Sequence, residues 1–293
     1  KGGYIMLDEL PFIKSDVIDR IMEKVTIWAG DMELNYGDAH FRRSDNGNVI
    51  RNPFVGNYIM DAFTTAPALE VMYRSNGLLL MAATSTGQLR QDLTLYANNT
   101  FTAYDAHKEL GFYWKGGYDK SFSDKIRARI TVSGYHMPES NHRSTLYFGD
   151  RTGSRYYLVM NLQKDGATAT DIKSNHLNTY FSPGTATKTN AYMVNLFTRV
   201  YGLEFFGTYE NATGLYPSAK EFRFNQFAAE ALYRFGKEEN FYVGGRYNTV
   251  KGNTDAGNNS SVDRTVSRIQ VGAGWFVLKS MLIKLEYVNQ NYS

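Results

Sequence analysis

One pattern constrains this chain more than any other: long runs in which every second residue is apolar while the residues between them carry charge. From Ile126 the chain reads Ile126, Arg127, Ala128, Arg129, Ile130, Thr131, Val132, Ser133. Side chains alternate between the two faces of a β-strand. Such a run therefore sets Ile126, Ala128, Ile130 and Val132 against Arg127, Arg129, Thr131 and Ser133. The pattern recurs. Ile269, Val271, Ala273, Trp275 and Val277 oppose Arg268 and Gln270; Met281, Ile283, Leu285 and Tyr287 oppose Lys284 and Glu286. Phe241, Val243 and Tyr247 oppose Tyr242, Arg246 and Asn248, and Phe227 to Phe235 sets Ala229, Ala231 and Tyr233 against Glu230 and Arg234.

Turn signals separate these runs. Ser75-Asn76-Gly77 is a hairpin cue, Lys237 to Asn240 and Leu278 to Ser280 are short, and Gly202 alone parts two further runs, implying a tight or bulged turn. Other connections are long and polar: 42–57, 166–189 and 251–263. Short and long connections together predict a meander whose two ends face different environments. The candidate strands are 24–36, 68–74, 78–84, 91–97, 110–118, 125–136, 144–149, 155–162, 190–201, 203–210, 221–235, 240–250, 263–277 and 281–292, about 14 in all. One segment departs from the pattern. Ile18, Ile21, Met22 and Val25 follow helical spacing behind Ser15-Asp16, which predicts a short helix with Ser15 as its N-cap.

The charges decide which β architecture fits. Strands of ten residues or more approach the 9 to 11 that cross a bilayer when tilted, and charges sit inside them opposite continuous apolar faces. A closed antiparallel barrel in a membrane satisfies both conditions, with lipid on the apolar face and water on the charged one. The expected fold is thus all-β, a single antiparallel transmembrane β-barrel over 1–293, with about 14 strands visible and 16 or more in the intact protein. No charged segment followed by an apolar one opens the sequence at Lys1, so an export signal is expected to have been removed or not included, and the stop at Ser293 inside a candidate strand is what a fragment would show. The longest clean apolar stretch, Leu78 to Ala83, is far short of the about 20 residues of a membrane helix. The chain has no cysteine, which excludes disulfides and thiolate chemistry, and a net charge of +3, which argues against a nucleic-acid partner. Aromatic residues form 15% of the chain. Trp28, Phe112, Tyr118, Tyr135, Tyr192, Tyr201, Tyr209, Phe235, Phe241, Tyr247, Trp275 and Tyr287 fall near predicted strand ends, as interfacial girdles require.

The segment Trp28-Ala29-Gly30-Asp31-Met32-Glu33-Leu34-Asn35-Tyr36-Gly37-Asp38 resembles the strand signature of alginate-export-type outer-membrane barrels, with Glu33, Tyr36, Gly37, Asp38 and the downstream Arg42 as its matching residues. It departs from that signature at Asp31-Met32. Together with Asn52 to Asn57 and Gly202 to Glu210, the chain is similar in texture to porin-like barrels of the Bacteroidota. The resemblance implies a Gram-negative outer-membrane location and the diffusion or export of a solute.

The expected function is a porin or solute channel for small hydrophilic solutes, in contact with outer-membrane lipid. The alternatives are a non-conducting structural or assembly-partner barrel among other outer-membrane proteins, and a membrane-embedded hydrolase. The expected pore-lining residues are Lys115, Arg127, Arg129, Arg199, Glu204, Glu230, Arg234, Arg246, Arg268, Lys284 and Glu286. Eight of these are basic and three acidic; three ion pairs would leave five cations free and give a weak anion preference. Ile126, Ile130, Val132, Tyr233, Val243, Ile269, Val271, Trp275, Ile283 and Leu285 are expected to face lipid. Neither a cofactor nor a catalytic site is expected. The histidines His40, His107, His136, His142 and His176 show no metal-ligand spacing. Asn141, His142 and Ser144 are too local to make a triad, and the loops at 45–48 and 255–263 read as turns rather than Ca²⁺ sites.

Overall fold

The computed structural model describes residues 2–39, 49–87, 94–97, 100–103, 109–138, 144–147, 183–216, 220–256 and 260–293, with 166, 168, 169 and 181. In chain order the elements are β1 (Tyr4–Leu7), α1 (Asp16–Met22), β2 (Val25–Glu33), β3 (Thr65–Ser75), β4 (Leu78–Ser85), β5 (Thr94–Ala97), β6 (Thr100–Ala103), β7 (Gly111–Ser123) and β8 (Ile126–Met137). They continue with β9 (Ser144–Tyr147), β10 (Gly184–Ala186), β11 (Lys188–Val200), β12 (Leu203–Leu215), β13 (Glu221–Phe235), β14 (Phe241–Ala256), β15 (Ser260–Leu278) and β16 (Met281–Tyr292). Twelve strands form one antiparallel sheet in the order β1-β2-β3-β4-β7-β8-β11-β12-β13-β14-β15-β16, a meander from end to end.

The hairpin chemistry is local. Asn76 and Gly77 take φ of 51° and 90°, the left-handed pair that a two-residue turn needs to match strand twist. Tyr201-Gly202 closes β11 onto β12 as the tight alternative, with Val200 facing Leu203. These turns, with those at 236–240 and 279–280, lie at one end of the sheet; the connections 34–64, 86–110 and 138–187 lie at the other.

The sheet is inside out. All ten residues expected to face lipid are exposed, from Ile126 at 37% to Leu285 at 77%. Their neighbours Thr131, Ser133, Arg268 and Gln270 are buried. What buries them is the segment 34–64, which bonds to side chains or backbone of β3, β7, β8, β11, β12, β13, β14, β15 and β16. Laid flat, these nine strands with β4 among them would span roughly 43 Å at 4.8 Å per neighbour. Residues 35–38 alone bond to β3, β7, β8, β11 and β12, and so short a stretch reaches five strands because the sheet wraps around it.

Several expectations are corrected. Candidate strands 91–97 and 144–149 are not part of the wall: β5 pairs with β6, and β9 with β10, in two separate two-stranded sheets. Candidate 155–162 lies outside the described residues. The wall therefore holds 12 strands among the described residues rather than about 14, and it includes β1, which has too few residues to show a period. The predicted strand 24–36 ends at Glu33, where the chain turns inward. Helix α1 forms as expected, but the Ser15 side chain makes no capping bond. Ten of the twelve proposed girdle aromatics are exposed. Tyr135 and Trp28 are not girdle residues: Tyr135 is fully buried and Trp28 packs against the interior cluster, because both fall on the inward parity of their strands.

Candidate functional site: the filled lumen

The interior is built where 34–64 meets the inward face of the wall. Gly37 has φ of 69°. This left-handed step, open to glycine at little cost, turns the chain so that Asp38 points at β7 and β8. There its carboxylate accepts from Lys115 Nζ at 3.2 Å, Arg129 Nε at 2.7 Å and Thr131 Oγ1 at 2.9 Å. The Asp38 amide donates to Asn195 Oδ1 on β11 at 2.8 Å, and the Gly37 carbonyl takes a second bond from Lys115 at 2.7 Å. Burial alone would push the Asp38 carboxyl up. The charge of Lys115 and the bonds from Arg129 outweigh it and hold the group well below the usual carboxylate range.

A second cluster sits on β12 and β13. Glu210 accepts from the Tyr36 hydroxyl at 3.0 Å, from the Tyr147 hydroxyl, and from Gln226 at 3.3 Å. A third surrounds Arg246 on β14. Its Nε donates to Glu230 at 2.8 Å and its other nitrogens to the Gly56 carbonyl at 3.1 Å and Asn52 Oδ1 at 3.3 Å. Its guanidinium lies over the rings of Phe54 and Tyr58, 4.3 and 4.4 Å from their centroids. Tyr58 also donates to Glu230 at 3.1 Å. Backbone amides complete the anchoring: Ile59 to Asn248 at 2.6 Å and Met60 to Gln226 at 2.9 Å. Polar pairs fully enclosed in this way are held by geometry as much as by charge.

All eight inward cations are engaged, which corrects the expectation of five free ones. Arg127 and Arg129 pair with Asp119 at 2.7 and 2.9 Å, Arg199 with Glu239 at 2.5 Å, and Arg234 with Glu204 at 2.8 Å. Arg268 donates to Gln290 at 2.5 Å and to the Asn57 carbonyl at 3.0 Å; Lys284 is held by the carbonyls of Val49, Asn52 and Phe54. The acidic partners that the sequence reading missed are Asp38, Glu70, Asp119 and Glu210. Glu70 accepts from Asn35 at 3.1 Å and Tyr113 at 3.3 Å. With Glu204, Glu230 and Glu286, and with Glu239, which holds Arg199, and the buried Asp61 of 34–64, both also missed, they make nine acidic groups against eight basic ones. Asp119, Glu70 and Glu210 occupy inward parity on their strands, a signal present in the sequence. Asp38 reaches the lumen from outside the wall, and no periodicity marks it.

Of the resemblance residues, Tyr36, Gly37 and Asp38 lie inside the lumen, Glu33 ends β2 opposite Thr65, and Arg42 lies outside the described residues. His40, His107, His142 and His176 also lie outside them. His136 is on β8, its Nδ1 3.2 Å from Asn190 Oδ1. Ser144, the candidate serine of a triad, has its hydroxyl 3.1 Å from that of Tyr135.

No family model matches the sequence, and no curated protein matches it. Among solved structures, outer-membrane expressed OmpT of Vibrio cholerae aligns with 92% of this chain and 67% of its own at 9% identity, with a TM-score of 0.51. A loop L8 deletion mutant of that OmpT, again an outer membrane protein, aligns with 92% of this chain and 72% of its own at 9% identity and a TM-score of 0.49. The likeness is one of fold. At a TM-score of 0.51 it agrees with the inside-out wall: the protein has the antiparallel fold of an outer-membrane β-barrel.

Proposed function

We propose that this barrel is an outer-membrane channel of the porin kind, passing small hydrophilic solutes by diffusion past a constriction made by 34–64. One observation carries the reading. The inward wall carries a polar band, with Thr131, Asn195, Thr208, Gln226, Asn248 and Gln270 between the charged residues, beside an apolar cluster that includes Met81, Met193, Phe222 and Phe224. A barrel needing only a packed filling has no use for so many hydrogen-bonding groups, whereas a solute path does. The constricting segment enters from the end with long connections, which in bacterial barrels is the outside. The likeness to alginate-export-type and Bacteroidota porin-like barrels belongs to this reading, because the resemblance residues Tyr36, Gly37 and Asp38 are part of the constriction. The reading is non-enzymatic.

A second reading, a non-conducting scaffold that partners other outer-membrane proteins, is favoured by the depth of burial: Glu210 and Asn248 are 0% exposed and Arg246 3%. Planar-bilayer recording of the purified protein separates the two. Discrete conductance steps support the channel. A silent bilayer, with folding verified by heat-modifiable migration, supports the scaffold.

A further inference from the structure

Inside the barrel the cations are paired; outside, near one rim, three are not. Lys188 on β11, Arg223 on β13 and Lys251 on β14 are exposed. Among the described residues none of their side chains makes a hydrogen bond or an ion pair. Their placement is regular. On the outward face of β11 the chain runs Tyr192, Asn190, Lys188; on β13 it runs Phe227, Asn225, Arg223; on β14 it runs Tyr247, Thr249, Lys251. Each cation stands four residues beyond the last outward aromatic of its own strand, with a neutral polar residue between. The intervening β12 repeats the order with Tyr209, Asn211 and Thr213, and β15 with Ile269, Ser267 and Thr265. Along tilted strands, counting from the edge of the apolar belt gives height above the hydrocarbon more directly than cross-strand register does. On that count the cations share one level.

Carboxylates are present but stand further out. Glu221 and Asp263 each lie six residues beyond the belt on their strands, and Asp263 accepts a bond from Asn253. The nearest layer above the aromatics is amide and hydroxyl. Asn225 Oδ1 accepts from Asn211 at 2.8 Å and from the Tyr209 hydroxyl at 3.2 Å, which fixes those groups at the belt's edge. Beside them is a cleft of about 480 Å³ whose walls include Lys188, Asn190, Thr213, Arg223 and Glu221.

This rim is at the end with long connections, hence the outer leaflet. We propose that Lys188, Arg223 and Lys251 bind the phosphate groups of the outer leaflet's phosphorylated glycolipid, with the amide and hydroxyl layer meeting its sugars and the aromatic row its acyl chains. Basic side chains near a membrane surface attract anionic headgroups, and a guanidinium fits phosphate oxygens with two donors at once.

The test uses the full chain folded in detergent micelles. Retained lipid is measured by native mass spectrometry with bisphosphorylated lipid A, with the same lipid A after dephosphorylation, and with inorganic phosphate as competitor. The variant is Lys188→Gln/Arg223→Gln/Lys251→Gln, whose exposed side chains take no part in the interior. The control, Lys237→Gln/Lys279→Gln, removes two exposed lysines at the opposite rim. The expected result is retention of bisphosphorylated lipid A by the wild type and the control, weaker by about tenfold to a hundredfold in the triple variant. Dephosphorylated lipid A should bind the wild type and the triple variant alike. Equal retention of the phosphorylated form by wild type and triple variant overturns the proposal. So does full displacement by millimolar inorganic phosphate, which would make this a site for the free anion.

Discussion

Arg246 shows how a charge is kept inside this barrel. Its guanidinium has Glu230 at 2.8 Å, two further oxygen acceptors and two aromatic rings within 4.4 Å. Arg246 and Glu230 are each 1% exposed at the side chain, so neither is screened by water. Removing one partner strands the other in a low-dielectric site, at a cost of about 3 to 5 kcal/mol. Glu230→Gln should therefore destabilise strongly in denaturant titration from lipid vesicles, and Arg246→Met added to it should recover part of the loss. A double variant as unstable as the sum of the singles would mean the two groups are not coupled. Asp38 supplies a pH dependence. Its carboxyl is held well below the usual range, so it contributes stability that is present above its unfolded pKa of about 4 and lost as pH falls below that. The unfolding midpoint of the wild type should drop between pH 5 and pH 3, and Asp38→Asn should flatten that drop. An unchanged slope in the variant would remove Asp38 from the account.

At the scale of elements, legibility followed periodicity. Candidate strands 221–235 and 281–292 coincide with β13 and β16, because their alternation runs unbroken from turn to turn. Four-residue β1 and three-residue β10 are too short to show a period. The segment 34–64 was illegible for a different reason. Alternation reports which face of a strand is wet, and nothing comparable reports that a connection folds inward. The cue that was available is composition: Phe54, Val55, Tyr58, Ile59, Met60 and Phe63 are a dense apolar group for a surface loop, and most are buried. The lipid face invites a direct test. Ile130→Arg and Leu196→Arg, at paired positions in the middle of the outward belt on β8 and β11, should each cost about 2 to 4 kcal/mol, read as a shift in the unfolding midpoint in vesicles. The same change at Ile269, the last outward apolar residue of β15 before Ser267, should cost less. Equal costs at all three positions would contradict the depth assigned to the belt.

For the whole molecule, the interior is close to neutral, and its neutrality depends on a part that is not wall. The wall carries Lys115, Arg127, Arg129, Arg199, Arg234, Arg246, Arg268 and Lys284 against Glu70, Asp119, Glu204, Glu210, Glu230 and Glu286; the turn after β13 adds Glu239, and 34–64 adds Asp38, the buried Asp61 and a set of carbonyl acceptors. With the segment in place the field along the lumen largely cancels, so a channel of this kind should select weakly between ions, with a reversal potential near zero in a salt gradient. Taking out residues 49–60 removes the carbonyls that hold Arg246, Arg268 and Lys284 and empties the space that Phe54 and Tyr58 fill. Those three cations then face water inside a low-dielectric wall that focuses their field. The shortened protein should conduct more than the wild type, and its reversal potential should move toward that of the anion. Conductance unchanged by the deletion would mean that 34–64 is not the constriction. A shift toward the cation would mean that the charges freed by the deletion are not those that line the path.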